Sequence, residues 1–146
     1  MKILCFNGPN LNLLGQRDTS IYGNIRLEEI EDLLGKRASE LKVDFAFFQS
    51  NSEGSLIDTL QNEAPSADAI IINPGALTHY GLSLSDALRD ARLPVIEVHL
   101  SNIYSREEWR AKSVISPIAL GQISGLGWQG YLYAFEHLTE HLRKGA

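Results

Sequence analysis

Glu97 and His99 lie two apart in an apolar run and form the sharpest chemical pairing in the sequence. Alternate residues of a strand share a face, so this carboxylate and imidazole project together. A carboxylate beside a histidine fixes its tautomer and raises its pKa, which prepares it to give up a proton. A satisfied structural histidine near a strand end would read the same way, and the pair alone does not choose between them. Arg106 and Arg110 stand at i and i+4 in a stretch that reads as a helix, hence as neighbours on one face. Guanidinium groups clamp oxygen-rich ligands well, although this spacing taken alone favours a solvated surface.

Other polar side chains collect at the ends of apolar runs. Asn7, Asn10, Asn12, Arg17 and Tyr22 occupy a connection that closes at Gly23. Asn73-Pro74-Gly75-Ala76-Leu77-Thr78-His79 follows a second run, and Glu97-Val98-His99-Leu100-Ser101-Asn102 ends a third. Connections in compact domains are mostly ~4–6 residues long, so the segment around 10–23 is long enough to serve as a lid. A tolerated surface insertion is the alternative. The arginine and tyrosine it carries favour the lid.

His137 and His141 show metal-like spacing, but the further ligands of a closed zinc site are missing. His141 also falls in a last helical turn, where a cation suits the dipole. Cys5, the single cysteine, lies in an apolar run and reads as a buried, inert thiol. No metal and no cofactor are expected.

The elements that must position these groups follow from hydrophobic spacing. Lys2–Phe6 reads as a strand ended by Asn-Gly-Pro. Leu27, Ile30, Leu33, Leu34, Ala38 and Leu41 follow helical spacing, and Val43–Phe48 reads as a second strand. A short helix follows at Leu56, Ile57 and Leu60, with Ser55 available as its cap. Ala69–Ile72 suits a strand covered on both faces, Leu82–Ala91 a helix, and Val95–Leu100 a strand. Arg106–Lys112 reads as a short helix and Ile118–Ile123 as the last strand. Tyr131, Leu132, Phe135, Leu138 and Leu142 mark a closing amphipathic helix, with Trp128, Tyr131 and Phe135 as core or interface contacts. Such alternation predicts a flavodoxin-like, doubly wound sheet of five parallel strands, with residues 1–146 as one domain.

The chain has 146 residues, 44% apolar and 21% charged, an ordinary globular composition. Its formal charge of −5 argues against general nucleic-acid binding, yet a few local arginines can still hold an anionic small molecule. The first apolar run stops at Asn7, too soon for a signal peptide, and no run approaches a bilayer span. A cytoplasmic setting with no membrane partner is the expectation. A phospho-receiver would need acidic residues after the first strand, and an FMN carrier a phosphate-cradling loop. The sequence has Asn-Gly-Pro-Asn there.

Laid end to end, these blocks resemble the type II 3-dehydroquinate dehydratases. The resemblance runs from Asn7-Gly8-Pro9-Asn10-Leu11-Asn12-Leu13-Leu14-Gly15 through Arg17, Tyr22-Gly23 and Phe48-Gln49-Ser50-Asn51 with Glu53-Gly54. It continues with Asn73-Pro74-Gly75-Ala76, Thr78-His79, Glu97-Val98-His99, Ser101-Asn102, Arg106-Glu107-Glu108 and Gly121-Gln122-Ile123 with Gly125. It implies anti elimination of water from 3-dehydroquinate through an enolate, giving 3-dehydroshikimate for the shikimate pathway or in quinate breakdown. It further implies Tyr22 as base, Arg17 as its activator, His99 as general acid and Asn10 at the enolate or its water, with Glu97 behind the histidine. Asn73, His79, Asp86, Leu100, Ser101, Arg106 and Arg110 would meet the substrate. Because a tyrosine titrates near ~10, a basic Tyr22 needs a cation to stabilise its phenolate. The family assembles as a dodecamer of four trimers, with the residue matching Asp86 reaching a neighbour's site. Departures from the family pattern are Asp18-Thr19-Ser20 without proline, Ser52, Tyr80-Gly81, Ser85 and Tyr104.

Overall fold

The computed structural model describes residues 1–145. Five strands, β1 Lys2–Asn7, β2 Asp44–Gln49, β3 Ala69–Asn73, β4 Val95–His99 and β5 Gly121–Ser124, form one all-parallel sheet in the order β2-β1-β3-β4-β5. The helices are α1 Thr19–Tyr22, α2 Leu27–Leu41, α3 Glu53–Glu63, α4 Leu82–Ala91 and α5 Gln129–Gly145. This is the flavodoxin-like architecture that the alternation predicts.

Side-chain alternation builds a core on each face of the sheet. Ile3 and Cys5 of β1 join Ile71 and Val98 under α2 and α5, where Ile30, Leu34, Phe135 and Leu138 are fully buried. Leu4 and Phe6 turn the other way, joining Ile70 and Ile72 against Leu56 and Leu60 of α3 and Leu84 and Leu88 of α4. Tyr131 and Phe135 are therefore core residues, and Trp128 packs partly buried beside them.

The chain leaves β1 toward β2 and later returns beyond β1 to β3, so the order reverses between β1 and β3. In open α/β sheets ligands bind at such a point, beyond the strands' carboxyl ends. Asn7 and Asn73 pair in register across it. The two following loops run very close together, with the Gly8 N–H donating to the Asn73 carbonyl at 2.8 Å. A Cβ on Gly8 would lie 2.2 Å from the Pro74 carbonyl oxygen, so only glycine permits this approach.

Local chemistry shifts three expected elements and adds a short helix. Arg106–Lys112 is not one helix: short 3₁₀ turns cover Ile103–Ser105 and Glu108–Ala111, and Arg106 is extended between them. The premise that Arg106 and Arg110 share one helical face is therefore wrong. The last strand starts at Gly121 rather than Ile118, because Ser116-Pro117-Ile118 closes a 3₁₀ turn with proline at its start. The cap of α3 is Ser52 rather than Ser55, its hydroxyl accepting the Ser55 N–H at 3.2 Å. That helix begins before its apolar spacing does. Within the 10–23 segment α1 forms one turn, capped by Asp18, whose carboxylate accepts the Ser20 N–H at 3.0 Å and its hydroxyl at 2.6 Å.

Candidate active site

Beyond the carboxyl ends of β1, β3 and β4 lies a cavity of about 130 Å³. Asn10, Arg17, Tyr22, Asn73, His79, His99, Leu100, Ser101, Arg106 and Arg110 all reach it. Ten of the twelve singled-out residues thus come together. Glu97 lies behind the wall, and Asp86 stands elsewhere, exposed on α4 with Arg89 at 3.8 Å. Although the chain is acidic overall, the lining holds three arginines and no carboxylate. The local field suits an anion.

The 10–23 segment brings Arg17 and Tyr22 together. Arg17 Nη2 donates to Tyr22 Oη at 2.9 Å, and its guanidinium carbon lies 4.0 Å from the centre of the tyrosine ring. Arg106 approaches the same ring at 5.2 Å. Its Nη1 donates to the Ser101 hydroxyl at 3.3 Å, while its buried Nε has no partner among the described residues. A buried cationic N–H without an acceptor is costly, so an anionic ligand here would satisfy it.

His99 is 5% exposed and its Nε2 lies 2.5 Å from Glu97, which is wholly buried in the central strand β4. Burial pushes the Glu97 carboxyl up, but the His99 hydrogen bond and charge outweigh it, helped by Thr78 and Ser116, and hold it down to about 2. Ser113 and Gln122 complete a cage of donors at 2.8 and 3.0 Å. Gln122 is delivered by register, since β5 places it beside Glu97. An ionised carboxylate only accepts, so His99 Nε2 must donate to it. Nδ1 is left as the ring nitrogen free for proton transfer.

His79 is fixed by the same logic. Its Nδ1 lies 2.7 Å from the Lys112 carbonyl, which can only accept, so Nδ1 carries a proton and Nε2 is the other available nitrogen. Trp109 packs edge-on to it at 5.0 Å, and Arg110 covers the Trp109 face at 4.1 Å while pairing with Glu107. Asn10 adopts a left-handed backbone with φ of 70°, its N–H held by Asn51 Oδ1 at 3.0 Å. Asparagine tolerates this region better than most residues.

Sequence reasoning gave no role in the site to Thr78, Ser113, Ser116 and Gln122, and read Tyr131 only as a core or interface contact, although its hydroxyl joins Asn7 to Asn73. The missed signal is that a buried carboxylate must be met by donors, and hydroxyls flank both chain segments that pass Glu97. His137 and His141 stack with ring centres 6.4 Å apart, and no cluster of three metal-ligating side chains occurs among the described residues.

Residues 1–139 match the family model described as dehydroquinase class II. The chain is similar to a protein of Roseiflexus castenholzii named 3-dehydroquinate dehydratase, at 59% identity over 94% of this chain and 88% of the relative. A protein of the same name from Herpetosiphon aurantiacus is 54% identical over the whole of both chains. In structure it resembles type II dehydroquinase from Butyrivibrio crossotus, with a TM-score of 0.92, 44% identity and coverage of 94% and 97%.

Proposed function

The chain belongs to the class II dehydroquinase family, and from that premise we propose that Tyr22 is the base and His99 the acid of a dehydration carried out in its cavity. The reaction is a lyase step of the shikimate pathway, the loss of water from 3-dehydroquinate. The observation that carries the assignment of roles is the hydrogen bond from Arg17 to Tyr22 Oη, within the cavity that His99 also lines. A cationic donor on the tyrosine oxygen favours the phenolate.

The phenolate takes the proton from the carbon beside the ketone, and its electrons move onto the ketone oxygen. This enolate needs fixed donors, and Asn10 stands in the wall to supply one directly or through water. Hydroxide is a poor leaving group, so His99 Nδ1 protonates the departing hydroxyl as the enolate collapses, and water leaves. Glu97 holds the imidazole for that transfer. Arg106, Arg110, Asn73, His79 and the backbone at Leu100 and Ser101 bind the carboxylate and hydroxyls. In this mechanism the segment 10–23 acts as a lid over the substrate, since it carries both Arg17 and Tyr22.

Asp86 is exposed and does not line the cavity of its own chain, and we propose a closed assembly, a dodecamer of four trimers, in which it reaches a neighbour's site. Supporting this, Leu82 lies one helical turn before Asp86 and is 66% exposed, and nearby Tyr80 is 63% exposed. No described helix is long and apolar enough to cross a membrane. The lone buried Cys5 fits the proposed cytoplasmic setting.

Adding 3-dehydroquinate to the purified protein and following the ultraviolet band of the conjugated enone tests the reading. Growth of the band is expected. A flat trace from folded protein would refute it.

A further inference from the structure

We propose that Tyr131 is a positioning residue for this reaction: its hydroxyl fixes which way the Asn73 amide faces, so that Asn73 offers the substrate a donor. The inference rests on the proposed use of this cavity for dehydration.

The three polar side chains involved are sealed from solvent. Tyr131 and Asn7 are 0% exposed and Asn73 is 2% exposed. Asn73 Nδ2 lies 2.8 Å from Tyr131 Oη, which lies 2.7 Å from Asn7 Oδ1. The direction of this chain is set at both ends by backbone groups that have no choice. Asn7 Nδ2 lies 2.9 Å from the Phe48 carbonyl, which only accepts, so Asn7 turns its oxygen toward Tyr131. The tyrosine has one proton, and Asn7 takes it. It can then only accept from Asn73, which must therefore turn its nitrogen inward. At the far end the Gly75 N–H lies 3.1 Å from Asn73 Oδ1 and demands the same orientation. Burial raises the Tyr131 hydroxyl well above its ordinary pKa, so it keeps this proton.

The Asn73 oxygen is thus occupied by Gly75, and one of its two amide hydrogens by Tyr131. The remaining hydrogen is what Asn73 can present to the cavity it lines. A donor suits the carboxylate or a hydroxyl oxygen of the substrate, while a flipped amide would repel a carboxylate. Tyr131 comes from α5, 58 residues away, so the closing helix takes part in substrate recognition without touching substrate.

The test is a double-mutant cycle on the full-length enzyme. Tyr131→Phe should raise KM about fivefold, the worth of one typical hydrogen bond, and leave kcat nearly unchanged. In an Asn73→Ala background the same change should alter kcat/KM by less than about twofold, because the group it positions is gone. A purely structural tyrosine would lower thermal stability without that split. Should Tyr131→Phe not fold, Asn7→Leu removes the acceptor that fixes the hydroxyl and should raise KM in the same way. Unchanged KM in a folded single variant, or fully additive effects in the cycle, would overturn the proposal. Failure of the parent reading is distinct, since wild-type enzyme would then form no enone at all.

Discussion

Arg17 Nη2 sits 2.9 Å from Tyr22 Oη, on a segment whose two functional residues are separated by a single capped turn. Asp18 caps that turn, so local structure six residues long, from Arg17 to Tyr22, brings guanidinium and phenol together. The proposed base and its activator are then one unit, and removing either member should be severe.

Tyr22→Phe removes only the oxygen and should lower kcat by about a thousandfold, within the range for loss of a general base, while the circular dichroism spectrum stays unchanged. Arg17→Ala should also be severe, because it removes the cationic donor on the tyrosine oxygen. Near-normal turnover of folded Tyr22→Phe would mean that another group is the base.

Glu97 predicts an acid-dependent stability. Its carboxyl lies at about 2 in the fold against an ordinary 4.5, so the folded state favours the ionised form. Its contribution is complete above the ordinary value and is lost as pH falls from there toward 2. Glu97→Gln should cost on the order of 3 kcal/mol at neutral pH, with the difference from wild type shrinking through that window. Urea unfolding at several pH values and fixed protein concentration measures it. A difference independent of pH would show that the cage does not hold a carboxylate anion.

No lysine lines the cavity. Borohydride added with 3-dehydroquinate should therefore leave activity intact, because no Schiff base forms, and chelators should do the same. Irreversible loss with borohydride and substrate would contradict the enolate route.

Activity should fall on dilution as trimers separate, if Asp86 serves a neighbouring site. Light scattering alongside rate measurements follows both at once. A fully active monomer, or Asp86→Ala with unchanged affinity and assembly, would count against that role.

Most of the fold could be read in advance because it rests on local signals, while most of the site residues were singled out by the family resemblance. Apolar runs such as Ala69–Ile72 mark buried strands, and Glu97 and His99 share a face by strand geometry alone. The errors arise where tertiary contact outweighs spacing. Arg106 and Arg110 look helical in sequence, yet Arg106 is drawn out toward Ser101 and Tyr22 while Arg110 begins a separate contact with Trp109. The hydroxyl and amide partners of Glu97 lie 16 to 25 residues from it, and the Asn7–Tyr131–Asn73 chain spans 124, so no periodicity made either legible.

The division of labour between Tyr22 and His99 is tested most directly by exchange of the proton beside the ketone with deuterated solvent. His99→Ala should retain that exchange while losing water elimination by about two orders of magnitude, since it blocks only the second half of the reaction. Tyr22→Phe should lose both. Equal loss of exchange and elimination in His99→Ala would contradict the assignment of His99 to the leaving group.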